Sequence, residues 1–346
     1  MASYKEIIQE QRSRMPVEIS WWPRYLYHYT DVNHAVSIIG NEWIYDRVTA
    51  ERKRLTKTDA ASQNVLNVTS DAVKHCGRLY MRPLTPTQFY SEGYKPKAVR
   101  HENYKDANCP VPVFFLLDAV KTLKYPDVFF VERGAAGLTT ERWKTGKDEF
   151  AKLDFEKIFH HGWEGYTPSI GQYRRTEVLR ENGIPLCDLL KRIVCRSSAE
   201  ERTLLSLMRE QCPAQYKEYS RLVMTAPADI GRYMFNYSGI YIKKVKAKED
   251  QVLIEFNEAS LRYDRYERAD NDSIPVTLTV VALWKSRAGK TIGQKSYEGI
   301  LDYKVHNAVV LNYKDKMSDY LMLKIQLDGN LVFQDDFYIG NQGIVY

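Results

Sequence analysis

Three short segments carry residue types that could do chemistry. Leu26-Tyr27-His28-Tyr29-Thr30 sets an imidazole among aromatic rings and ends on a hydroxyl. Leu79-Tyr80-Met81-Arg82-Pro83-Leu84-Thr85-Pro86-Thr87 carries an arginine into a proline-rich turn. Tyr173-Arg174-Arg175-Thr176-Glu177-Val178-Leu179 reads as a strand with one carboxylate in it. A glutamate is unfavourable in a strand, and an unpaired charge is costly to bury, so Glu177 needs a partner or a task. Two readings stand: a catalytic carboxylate, or an outward residue paired with Arg174 or Arg175. His28 is open in the same way, as a ligand-binding group or a hydrogen-bonded structural histidine. Arg82 is either a solvated arginine or a phosphate fork.

The elements that must position these residues are legible in outline. Residues 3–15 form an amphipathic helix around Ile7 and Ile8 that Pro16 stops. Trp21–Tyr29 is an aromatic strand, after which Asp31 caps a helix running to Ile39 and closed by Gly40. Residues 47–76 are polar, with weak helical periodicity from Ala60 to Val73, a stretch of the kind that is often functional. Strands are expected at Arg78–Met81, Val113–Leu117, Val128–Val131, Tyr173–Leu179 and Ile193–Cys195. Lys147–Phe159 reads as one helix, and Ser197-Ser198-Ala199-Glu200 as a capping box opening another. After residue 235 the texture becomes β-rich, with strands at 240–245, 251–257, 275–283, 303–311, 320–327 and 331–338. Tyr263, Tyr266, Trp284, Tyr297, Tyr303 and Tyr313 there are stacking surfaces or, more simply, core and cross-strand pairs.

Composition narrows the classes. The length of 346 residues implies two domains, with a boundary near 225–238. No apolar run reaches the roughly 20 residues of a membrane span, and no secretory h-region opens the chain, so a cytoplasmic protein is expected. The five cysteines are scattered without a CxxC pair, which supports neither a disulfide framework nor a metal site. Residues 236–346 hold 15 Lys plus Arg against 15 Asp plus Glu, so the whole surplus of +6 lies before them. A basic N-terminal part suits a polyanion, although solubility alone would also explain it.

The order and spacing of the three segments resemble the DarT family, toxins that ADP-ribosylate bases of single-stranded DNA using NAD. The resemblance covers residues 24–210 and includes Phe114–Val131, Lys152-Leu153-Asp154-Phe155 and Ile193–Leu205. It implies an α+β ADP-ribosyltransferase-like split-sheet domain over 1–230. The β-rich residues 236–346 find no counterpart in the compact family members; their strands read as an all-β sandwich or small barrel, an accessory or partner-binding part. It implies Glu177 as the catalytic carboxylate, with His28, Tyr29 and Thr30 lining the nicotinamide side of an NAD cleft. The family's arginine between the Pro and the Ser/Thr-Pro of the turn is replaced here by Leu84. Arg82, two residues earlier on an extended chain, would then face the same way and serve NAD, the acceptor phosphate and catalysis. An antitoxin or regulatory partner is also implied. Single-stranded RNA or a protein acceptor are the rival substrates, and a silent nucleic-acid-binding module is the rival class; the lone glutamate of Arg175-Thr176-Glu177 argues against the Glu-x-Glu of many protein-modifying relatives.

Overall fold

The computed structural model describes residues 2–55, 62–137, 139–162, 164–262, 273–313 and 317–340. The expected first helix is α1, Tyr4–Arg14, opened by a reciprocal Ser3–Glu6 cap and burying Ile7 and Ile8. The chain then enters β1, Tyr25–Asp31, and α2, Val32–Asn41, which the Asp31 side chain caps through the Asn33 N–H. Gly40 does not end α2. The left-handed residue that turns the chain is Glu42, two positions later.

Six more strands complete one mixed sheet: β2 (Cys76–Tyr80), β3 (Pro112–Asp118), β4 (Val128–Val131), β5 (Glu177–Glu181), β6 (Leu190–Cys195) and β7 (Val223–Thr225). Their order is β4-β5-β2-β1-β3-β6-β7, antiparallel except for β6 beside β7. The sheet is nearly two sheets. β1 pairs with β3 over seven residues, but with β2 at a single position, Tyr27 opposite Tyr80.

Three expectations shift here. Tyr173 closes a helix, α3 (Pro168–Tyr173), so the strand that carries the carboxylate starts only at Glu177. The single helix expected over Lys147–Phe159 is two short ones, Lys147–Ala151 and Phe155–Ile158, because Asp154 caps the second through the Lys157 N–H. Ser197 does cap α4 (Ser198–Gln211), yet Glu200 turns its side chain to Arg196 rather than back to the cap.

One face of the sheet contributes Leu26, Leu79, Phe115, Val178 and Ile193 to a single core shared with α1, α2 and α4; the other holds Tyr27, Tyr29, Phe114 and Val194. Beyond residue 241 the described elements are strands and one short turn at Ala259–Leu261. β8 (Ile242–Ala247), β9 (Gln251–Phe256) and β12 (Ala308–Asn312) form a sheet in the order β8-β9-β12. β10 (Pro275–Lys285), β11 (Thr291–Asp302), β13 (Tyr320–Leu327) and β14 (Asn330–Tyr338) form another in the order β11-β10-β13-β14. Alternate residues of β10 meet alternate residues of β13 across the ladder: Leu278 with Leu327, Val280 with Ile325, Ala282 with Leu323, Trp284 with Leu321, all buried. Trp284, Tyr303 and Tyr313 are core residues, as cross-strand packing requires, whereas Tyr263 and Tyr266 lie outside the described residues.

This β-rich core does not stand apart. Tyr94, Val99 and Ala199 belong to it. Arg202 and Arg209 of α4 both reach Asp335, and the Thr203 hydroxyl accepts the Gln334 N–H. No helix among the described residues is long and apolar enough to cross a membrane.

Candidate active site

Glu177 is the first residue of β5 and sits opposite Tyr80 of β2 and Val131 of β4. Its side chain is 4% exposed. Both oxygens are held by Arg78, two residues before Tyr80 on the same face of β2: Nε donates at 2.8 Å and Nη2 at 2.9 Å. Burying a carboxylate costs several kcal/mol, and a bidentate guanidinium is the partner that offsets it best. Burial works against the Arg78 charge, but Glu177 overrides it and holds the guanidinium firmly protonated. The guanidinium thus keeps its charge against the carboxylate, which is aimed along the face that Tyr80 and Tyr27 share.

The partners expected from sequence are elsewhere. Arg174 donates to His160 and to the Gly162 carbonyl and lies over Tyr166; the Arg175 side chain passes beside Gly134. Arg78 went unnoticed in the sequence because it was read as ordinary strand. The available signal was a cation in the interior of an otherwise apolar strand, two residues from a tyrosine.

His28 lies on β1, one residue past the Tyr27–Tyr80 contact, so its ring leaves the sheet on the face opposite Tyr27. Where the ladder between β1 and β2 ends, the ring takes over: Nδ1 donates to the Arg78 carbonyl at 3.1 Å. Burial, then the neighbouring His34, push His28 down to about 4, so the ring is neutral at neutral pH. With Nδ1 as the donor, Nε2 is a lone-pair acceptor, buried without a hydrogen-bond partner among the described residues. Thr30 lies on the same face and meets Nδ1 of His34 at 3.1 Å; burial and Arg47 push His34 down to about 4 as well. Tyr29 points the other way, onto Phe114, with its hydroxyl near the Ser91 hydroxyl. The structure thus brings His28 and Thr30 together with His34, and sets Tyr29 on the face of Tyr27 and Tyr80.

Arg82 has a different environment from the one its spacing suggests. Its side chain is 1% exposed, stacked over Trp22, with Nε donating to the Pro83 carbonyl and Nη1 to the Ile158 and His160 carbonyls. Burial lowers its proton affinity well below the usual arginine range. The premise of an extended chain fails at Leu84, whose φ of 56° is left-handed and turns the segment. That turn is stapled by helix capping: the Thr85 hydroxyl accepts the Gln88 N–H, and the Gln88 side-chain Oε1 accepts the Leu84 N–H, at the start of the short helix Pro86–Ser91.

Behind this helix lies a buried polar cluster. Glu92 accepts from Gln88, from the Asn236 and Tyr237 backbone, and from Arg196, which also pairs with Glu200. Gly93 permits it: a Cβ there would stand 2.0 Å from the Ser238 carbonyl. Residues 236–238 are thereby locked to the proline-rich turn.

The family model for DarT, ssDNA thymidine ADP-ribosyltransferase, matches residues 27–223, more than half of the chain. Three solved structures of DarT from Thermus sp. 2.9 are similar. The complex with NAD+ is 14% identical, with a TM-score of 0.44, over 62% of this chain and 98% of that one. The complex with ADP-ribosylated ssDNA is 15% identical, with a TM-score of 0.46, over 62% and 97%. The complex with carba-NAD+ is 16% identical, with a TM-score of 0.43, over 60% and 97%. No curated protein matches. On the family match, with its mixed α/β sheet and NAD as co-substrate, this chain belongs to the DarT family of single-stranded-DNA thymidine ADP-ribosyltransferases.

Proposed function

We propose that this chain transfers ADP-ribose from NAD to thymidine with Glu177 as the catalytic carboxylate and Arg78 as its positioning residue. The observation that carries the proposal is the carboxylate itself, buried at the head of a strand and clamped by one guanidinium. In the transfer, the bond from the ribose C1′ to nicotinamide breaks, its electrons leave with the nicotinamide, and positive charge develops on the ribose. A fixed carboxylate stabilises that charge through the ribose 2′-hydroxyl, and it can take the proton that leaves the attacking base nitrogen. Arg78 holds the carboxylate so that no reorganisation is needed when the charge appears.

His28 supplies the second wall. Its neutral ring offers Nε2 as an acceptor, the complement of a ribose hydroxyl or the nicotinamide amide N–H. Glu177 and His28 leave the sheet on opposite faces, so a dinucleotide engaging both would have to pass the seam between β1 and β2, which is registered at one pair only. Thr30 and Tyr29 flank the same seam on opposite faces. Arg82, engaged by three carbonyls, is assigned to holding the turn over Trp22 rather than to phosphate. The region beyond 236 is proposed as an accessory part on which an antitoxin or regulatory protein docks, and the chain is taken to act in the cytoplasm.

The test is mass spectrometry of single strands incubated with the protein and NAD. A DNA strand containing thymidine should gain one ADP-ribose unit; the same DNA without thymidine, and the RNA counterpart, should gain none. Modification of RNA alone would overturn the acceptor assignment.

A further inference from the structure

Outside the matched residues 27–223, the chain builds half of a second feature. Between α1 and the ends of β1, β3 and β6 runs an open groove of about 410 Å³. Its charged residues are Lys5, Arg12, Arg24, Lys191 and Arg192, against one carboxylate, Asp118. Asp118 pairs with Lys191 at 3.4 Å, while Lys5, Arg24 and Arg192 are exposed and have no carboxylate partner among the described residues. Arg12, also in its lining, is held by its Nε donating to the Ser20 carbonyl and its Nη1 to Gln9. Five cations around one acid repel one another, and an isolated fold gains nothing from gathering them; a polyanion would relieve the repulsion.

The groove also has stacking surfaces beside it. Trp21 and Tyr25 are half-buried, with ring centroids 6.5 Å apart, and both contact Tyr27, the residue opposite Tyr80. Two residues along β1 and two strands across the sheet separate Tyr25 from Glu177, about 12 Å by strand geometry. An acidic protein would use the cations but not the half-buried rings; unpaired bases use both.

We propose that this groove binds the sugar-phosphate backbone of the single strand flanking the modified thymidine, with adjacent bases stacked on Trp21 and Tyr25. The proposal rests on single-stranded DNA as the substrate, and its test is read without NAD, so that failure to transfer ADP-ribose and failure of the groove are separate results. Fluorescence anisotropy would follow labelled single-stranded DNA of about 5 and about 20 nucleotides. Wild-type protein should bind the longer strand more tightly. Arg24→Glu/Arg192→Glu should lose that gain, weakening the longer strand about tenfold and flattening the salt slope by roughly 1.4 for two lost phosphate contacts. Lys290→Glu, on the distant hairpin turn between β10 and β11, serves as the control and should bind as wild type does. Should the charge reversal fail to fold, Arg24→Gln/Arg192→Gln is read instead, with a smaller loss in the same direction. Wild-type affinity and salt slope for the longer strand in a folded groove variant would overturn the proposal.

Discussion

The ladder between β10 and β13 and the polar interior of the mixed sheet are filled with different materials. Between β10 and β13 the interior is apolar residue on apolar residue, and every second position can be read from the chain. Around the mixed sheet the interior holds Glu177, Arg82, Glu92, Arg196, Glu200 and Asp31, each tied by named hydrogen bonds. Apolar interiors are forgiving of detail; polar ones fail when one partner is missing. The difference marks the sheet as the part shaped for chemistry. It also shows where the two regions depend on each other, since the donors to Glu92 come from residues 236–237.

The largest effect should come from breaking that dependence. Ending the chain after residue 230 removes Met234 and Phe235, each 1% exposed, and the two backbone donors to Glu92. Two lost core side chains and an under-satisfied buried carboxylate together cost about 5 kcal/mol or more. Such a chain should show no cooperative thermal transition by circular dichroism. A cooperative melt near the wild-type temperature would show that the mixed sheet is self-sufficient at 230.

A smaller effect sharpens the contrast through pH. His28 and His34 are both held near 4 in the fold, against an ordinary value of 6.5. The unfolded chain therefore binds protons that the folded one refuses between those values, so stability is lost as pH falls through that window. Asp31, raised by burial to about 6, acts in the opposite sense, so the wild type alone would blur the effect. The stability advantage of wild type over His34→Asn should therefore shrink, by on the order of 2 kcal/mol, between about pH 7 and about pH 4.5. Denaturant unfolding of both proteins at the two pH values measures it. A constant difference would place His34 in a more solvated site.

Much of this contrast was legible before the structure. Alternation locates β10, β13 and β14, amphipathic spacing locates α1, and capping locates α2 and α4, because those signals are local. β11 was not visible: Thr291–Asp302 has two glycines and few apolar residues, and as an exposed edge strand it borrows its order from β10. The site was legible as residue types but not as pairings. Glu177 stood out as a charge in a strand; its partner lay 99 residues away on a neighbouring strand, a distance no local pattern spans. Arg82 misled because alternation was extended through Leu84, where the backbone turns left-handed. The groove beside α1 was hidden for the same reason as the Arg78 pair: Lys5, Arg24 and Arg192 are ordinary surface cations until the fold gathers them.

The most direct test of the central claim is the rate at which Glu177→Gln modifies a thymidine-containing single strand, followed by mass spectrometry under saturating NAD. Glutamine keeps the shape and removes the charge. If the carboxylate stabilises the ribosyl cation, transfer should fall on the order of 10²–10³-fold while the protein still unfolds cooperatively. A folded Glu177→Gln protein that transfers ADP-ribose at close to the wild-type rate would contradict the assignment and move the catalytic charge elsewhere in the cleft.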